Sequence, residues 1–129
     1  TFEEAITLKR DLGQEGAAFD DLAGLAQVAM AQDQTAEALR HTEEIVAWLD
    51  EKGPGGIEYP LQVYLTCYQV LTAAGEPWQR AADLLQKAHT MLMEQAGDIT
   101  DRELRRSFLE NVAANREIRR LWSAARSEG

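Results

Sequence analysis

Asp33-Gln34-Thr35-Ala36-Glu37-Ala38-Leu39-Arg40-His41-Thr42-Glu43-Glu44-Ile45 and Gly75-Glu76-Pro77-Trp78-Gln79-Arg80-Ala81-Ala82-Asp83-Leu84-Leu85-Gln86-Lys87-Ala88 decide the reading of this chain. In each, a turn is followed by core-type residues at helical spacing. Ala38 and Ile45 mark the first set, Ala81 and Ala88 the second, and the two sets stand 43 residues apart. A recurrence of that length is the mark of paired helices stacked as repeats. Stacked repeats share a core between neighbours and expose a long groove, so the pattern points to a surface that binds rather than a pocket that reacts.

Working outward, three- and four-residue apolar spacing is almost continuous and no stretch sustains two-residue alternation, which predicts an all-α fold of about seven helices. Residues 2–12 place Phe2, Ala5, Ile6, Lys9 and Leu12 along one side and stop at Gly13, the form of a second helix whose first helix is missing. Residues 16–52 read as one repeat. Phe19, Leu22, Leu25, Ala26 and Ala29 stripe its first helix; Ala38, Leu39, Thr42, Ile45, Val46 and Leu49 stripe its second. The small Ala26 and Ala29 predict close approach of a neighbouring helix. Gly53-Pro54-Gly55-Gly56 breaks the chain, and residues 57–97 form the next repeat. Its first helix, from Pro60, is apolar nearly all round and belongs at the centre of the stack; Pro77 starts its partner. In residues 100–127, Thr100 and Glu103 read as a capping box, with Ile99 placed to staple onto Leu104, and Asn115 reads as the cap of a last helix.

The 129 residues fit a single domain with its own core, and no apolar run approaches the roughly 20 residues of a membrane span. The chain opens at Thr1 and its first residues lack the basic start and apolar core of a signal peptide, the reading expected of a segment of a longer protein. One cysteine, Cys67, sits in an apolar run and cannot form an internal disulfide, which favours a reducing compartment such as the cytoplasm. Net charge is −9, unevenly placed: residues 1–101 carry 6 basic and 18 acidic groups, while 102–129 carry 7 arginines and 4 glutamates. The acidic body disfavours nucleic acid, because phosphate neutralisation supplies most of that affinity.

Groups able to carry chemistry do not converge. His41 and His89 lie in different helices with no carboxylate or cysteine at metal-ligand spacing. The neighbours Glu3-Glu4, Asp20-Asp21 and Glu43-Glu44 diverge by about 100° on a helix and cannot flank one bond. Ser107, Ser123 and Ser127 lack a nucleophile elbow, and the glycine-rich linker lacks the Lys-Ser or Lys-Thr of a phosphate loop. The chain is read as no enzyme, with no cofactor and no metal. Arg102, Arg105, Arg106, Arg116, Arg119 and Arg120 form either a docking patch or a set of helix-surface ion pairs, for which Arg102 with Asp98 and Arg106 with Glu110 have the right spacing. Of the three tryptophans, Trp48 and Trp122 continue apolar stripes; Trp78 does not and is expected at the surface.

Leu8-Lys9-Arg10-Asp11-Leu12-Gly13, Leu22-Ala23-Gly24-Leu25-Ala26 and Ala36-Glu37-Ala38-Leu39 resemble tetratricopeptide repeats of large bacterial regulators built on signal-transduction ATPases. Leu71-Thr72-Ala73-Ala74-Gly75, Ala81-Ala82-Asp83-Leu84-Leu85, Ala88 and the string from Arg105 to Val112 look like the carboxyl end of such arrays. The repeat departs from the usual length of about 34 residues, chiefly through the Gly53–Gly56 linker, and one extra residue separates Gly75 from Ala81. The resemblance implies a non-catalytic module that holds a protein or peptide against the first helix of each pair. Here that face is Asp20, Gln27, Met30, Gln62, Gln69 and Thr72. With no lysine or asparagine among them, the face is not suited to gripping a carboxylate tail. The alternatives are a segment that only stacks, on its own array or as a homodimer through an exposed repeat end, and nucleic-acid contact through the arginines.

Overall fold

In the computed structural model, which describes residues 2–128, the described residues form seven helices and no strand. They are α1 (Phe2–Asp11), α2 (Glu15–Ala31), α3 (Thr35–Lys52), α4 (Pro60–Ala73), α5 (Trp78–Gly97), α6 (Arg102–Glu110) and α7 (Ala113–Glu128). One backbone solution closes three of the connections. Gly13, Asp33 and Gly75 all take left-handed φ, at 76°, 59° and 74°. The next residue's N–H then reaches back into the helix: Gln14 to the Lys9 carbonyl at 2.7 Å, Gln34 to Ala29 at 2.8 Å and Glu76 to Leu71 at 3.1 Å. That bond satisfies a carbonyl left over at the helix end and reverses the chain, giving three tight antiparallel pairs: α1/α2, α2/α3 and α4/α5.

The helices pack in a staggered order. Helices α2, α4 and α7 touch in series and make one layer, while α1, α3 and α5 each rest on the next member of that layer. No backbone contact joins α1 to α3 or α3 to α5. Side chains bridge those gaps instead, with Arg10 2.6 Å from Glu44, Arg80 2.6 Å from Glu43 and Lys87 3.7 Å from Asp50.

Helix α4 lies in the middle, against α2, α3, α5 and α7, which is why its sequence is apolar nearly all round. Leu61, Val63, Tyr64, Leu65, Thr66, Cys67, Val70 and Leu71 are buried, each large apolar side chain adding about 1.5–3 kcal/mol. One core cluster runs from Ile6 of α1 to Ile118 of α7. A second is built from small residues: Ala26 and Ala29 of α2 close on Ala38 of α3 and Val70 of α4, the close approach expected of two alanines on one helix face.

Three local expectations are corrected at the carboxyl end. The cap of α6 is Asp101, not Thr100: the Asp101 carboxylate accepts from the Leu104 N–H at 2.9 Å, so the helix starts one residue later than a Thr100 cap on the Glu103 N–H requires. Asn115 does not cap the last helix. It lies two residues inside α7, 2% exposed, and its amide donates to the Phe108 carbonyl at 3.0 Å, tying α7 to α6. Asp98 and Arg102 form no ion pair, because the chain turns between them and the four-residue helical spacing does not apply.

Candidate functional site

Asp20, Gln27 and Met30 lie on α2, and Gln62, Gln69 and Thr72 on α4, two helices that pack side by side. The structure gives these six side chains different work. Asp20 is a structural cap: its carboxylate accepts from the backbone N–H groups of Glu58 at 2.7 Å and Tyr59 at 2.9 Å, fixing the long connection that enters α4. Met30 is half-buried against the Ala26, Ala29, Ala38 and Val70 cluster. Gln27 and Gln62 converge. Both donate to the buried hydroxyl of Thr66, at 2.8 Å and 3.5 Å, which makes a polar seam between α2 and α4. Gln69 and Thr72 remain exposed, further along α4.

Thr66 escaped the sequence reading because it sits inside an apolar run, and a lone hydroxyl there carries no periodic signal. The same holds for the cleft beside Thr72. Tyr68, Thr72, Glu76, Trp78, Ala81, Ala82, Leu85 and Ala125 line a space of about 380 Å³ where α4, α5 and α7 meet. Trp78, 72% exposed as its position outside the stripes suggested, forms one edge. Alanines on α5 and α7 leave the room. The sequence signal for this cleft was the pair of adjacent alanines, Ala81 and Ala82, next to an unpaired tryptophan.

A second cleft of about 290 Å³ opens where the start of α4 meets α6 and α7, between Tyr59, Pro60, Gln62, Gln95, Phe108 and Asn115. Its walls are mostly apolar and hold no converging acid and base. His41 lies 3.7 Å from the Glu37 carboxylate on its own helix, and His89 stacks on Trp122 at 4.4 Å between α5 and α7. Among the described residues no three His, Cys, Asp or Glu side chains converge as metal ligands. Burial pushes the Cys67 thiol up to about 12, so at neutral pH it is held as an unreactive thiol in the core of α4.

The arginines divide in the same way. Arg105 clasps the end of α5, donating to the carbonyls of Ala96 and Ile99 at 3.0 Å, a cation placed where a helix leaves carbonyls unsatisfied. Arg106 pairs with Glu110 at 2.8 Å and Arg120 with Glu117, which lifts both guanidinium groups further from neutrality. Arg116 reaches the Glu110 carbonyl at 3.4 Å. Arg102 is exposed and Arg119 half-exposed. The six therefore share no single outward patch.

Among the described residues no helix is long and apolar enough to cross a membrane. Compared with family models, with curated proteins and with solved structures, the chain matches none.

Proposed function

We propose that this chain is a non-catalytic protein-interaction module, a tetratricopeptide-like stack of helix pairs from the carboxyl-terminal part of a cytoplasmic bacterial regulator, which holds a peptide or protein segment along the α2–α4–α7 layer. The observation that carries this reading is the staggered order itself. First-position helices α2, α4 and α7 run in series, second-position helices α1, α3 and α5 back them, and the polar seam Gln27–Thr66–Gln62 and the Trp78 cleft lie along the layer. Exposed glutamine, threonine and aromatic side chains on rigid helices suit an extended segment read by hydrogen bonds and one apolar anchor.

The test is a display selection of short peptides on the whole chain, followed by titration of the winners against Gln27→Ala, Gln62→Ala and Gln69→Ala. Loss of about tenfold or more in affinity at two of the three is the expected result. Peptides that bind all three variants as tightly as the parent would overturn the assignment of this face. The alternative, a segment that serves stacking alone, predicts no selected peptide.

A further inference from the structure

Helix α6 is lightly held. It fully buries none of its side chains, and it touches α5 and α7 but not α4. Between it and the start of α4 lies the cleft of about 290 Å³, at the small end of the roughly 300–1,000 Å³ typical of ligand sites.

The cleft is apolar in body and lined with amides at its edges. Pro60, Leu61, Phe108 and Val112 supply carbon surface, and the ring of Tyr59, 62% exposed, stands at the mouth. Gln62, Gln95 and Asn115 bring carboxamides to the same space. Asn115 is 2% exposed, and its Nδ2 is committed to the Phe108 carbonyl at 3.0 Å, which leaves Oδ1 an acceptor without a partner among the described residues. A nearly buried amide with half of its bonding capacity unmet calls for a donor. Helix α4 supplies the opposite need. Tyr59 gives it no side-chain cap and Pro60 has no N–H, so the N–H groups of Leu61 and Gln62, ahead of the first helical bond from Val63 to Tyr59, are left over.

Charge excludes ions. Glu58 lines the cleft, and the Asp20 carboxylate holds the N–H groups of Glu58 and Tyr59 at 2.7 and 2.9 Å, so two carboxylates stand by the start of α4 and repel an anion. A cation would face leftover N–H groups and an apolar wall that cannot solvate it.

We propose that this cleft binds a small uncharged molecule that joins an amide or lactam edge to an apolar body. Its carbonyl accepts from the free N–H groups at the start of α4, its own N–H donates to Asn115 Oδ1, and its carbon body rests against Phe108. Bound there, it bridges α4 to α6, two helices that do not otherwise touch. The site shares only Gln62 with the peptide-holding face, so either assignment stands when the other fails.

Benzamide is the probe, titrated to about 10 mM into the isotope-labelled whole chain and followed by NMR. Expected is saturable movement of the backbone signals of Leu61, Gln62, Phe108 and Ala114, with a Kd of about 0.1–1 mM for so small a molecule, and slower hydrogen exchange through α6. Acetophenone keeps the ring and carbonyl but lacks the N–H, and benzoate carries a charge; each should bind at least about tenfold more weakly. Val112→Trp and Ala114→Phe grow side chains into the space from two points, and each should abolish benzamide binding while circular dichroism verifies the fold. The proposal is overturned if no signal moves saturably, if acetophenone binds as tightly as benzamide, if benzoate binds more tightly, or if binding survives both variants.

Discussion

At Gly16, the second residue of α2, an added Cβ would lie 2.9 Å from the carbonyl carbon of Gly56, 3.0 Å from its Cα and 3.0 Å from the Gly55 oxygen. All three are backbone atoms of the connection between α3 and α4. They cannot rotate aside as a side chain would, and Gly56 is itself held at φ 86°. Gly16→Ala therefore forces a main-chain shift, for which overpacking costs about 1–3 kcal/mol. Alanine recovers at most about 1 kcal/mol of helix propensity, and less than that in a first turn. The net expectation is a loss of about 1–2 kcal/mol, or a melting point lower by about 3–7 °C. Two other glycines calibrate it. At Gly97 nothing lies within 4 Å of the added atom, so Gly97→Ala should gain up to about 1 kcal/mol. At Gly24 the new atom meets the Phe2 ring at 2.7 Å, but that ring is partly exposed and able to swing, so Gly24→Ala should change stability little. Urea unfolding of the three variants gives the ranking directly. If Gly16→Ala proves as stable as Gly97→Ala, the close approach of α2 to the linker is not a constraint and the reasoning is wrong.

Four further outcomes are expected. Asp20→Ala removes the acceptor of two backbone N–H groups in the same connection and should cost about 1–3 kcal/mol in urea unfolding, less than additively with Gly16→Ala because both act on one loop. Thr42 is wholly buried in α3 with its hydroxyl unpartnered, so Thr42→Val should raise stability by about 1 kcal/mol, and a loss of stability would show that the hydroxyl has a hidden role. His89 is held below its ordinary 6.5 by burial first, then by Arg126 and Arg119. The unfolded chain thus binds a proton more readily than the native one. This group's share of stability is intact above pH 6.5 and is lost as pH falls through the lowered native value, and His89→Gln should flatten that slope in pH-dependent unfolding. Cys67, with its thiol pushed up to about 12 and fully covered, should react with a thiol reagent only at the rate of global opening, so burst labelling in native buffer would contradict the packing of α4.

What the sequence disclosed was whatever rests on periodicity. Seven helices, the central place of α4 and the exposure of Trp78 followed from the spacing of apolar residues and from one tryptophan outside the stripes. Gly13 and Gly75 announced their turns because glycine accepts a left-handed φ without penalty. Asp33, which adopts the same geometry at φ 59°, could be identified as a turn only from its polar neighbours. The candidate face was less legible, for a physical reason. A polar residue half-way along a helix can cap a neighbour's loop, as Asp20 does, or join a polar seam, as Gln27 does, and only the distance between elements separates the two. The same limit explains the arginines: four-residue spacing found the Arg106–Glu110 pair but not the clasp of Arg105 on the end of α5, which depends on how α6 folds back.

The two layers of the molecule are joined internally by different materials. Helices α2, α4 and α7 meet through close-packed side chains, whereas α1, α3 and α5 are tied to one another by Arg10–Glu44, Glu43–Arg80 and Asp50–Lys87, long side chains that tolerate several ångströms of play. Raised salt therefore weakens the ties that join α1, α3 and α5 to one another while the packed contacts of the inner layer keep their strength. Such a body behaves like a strip with one stiff side.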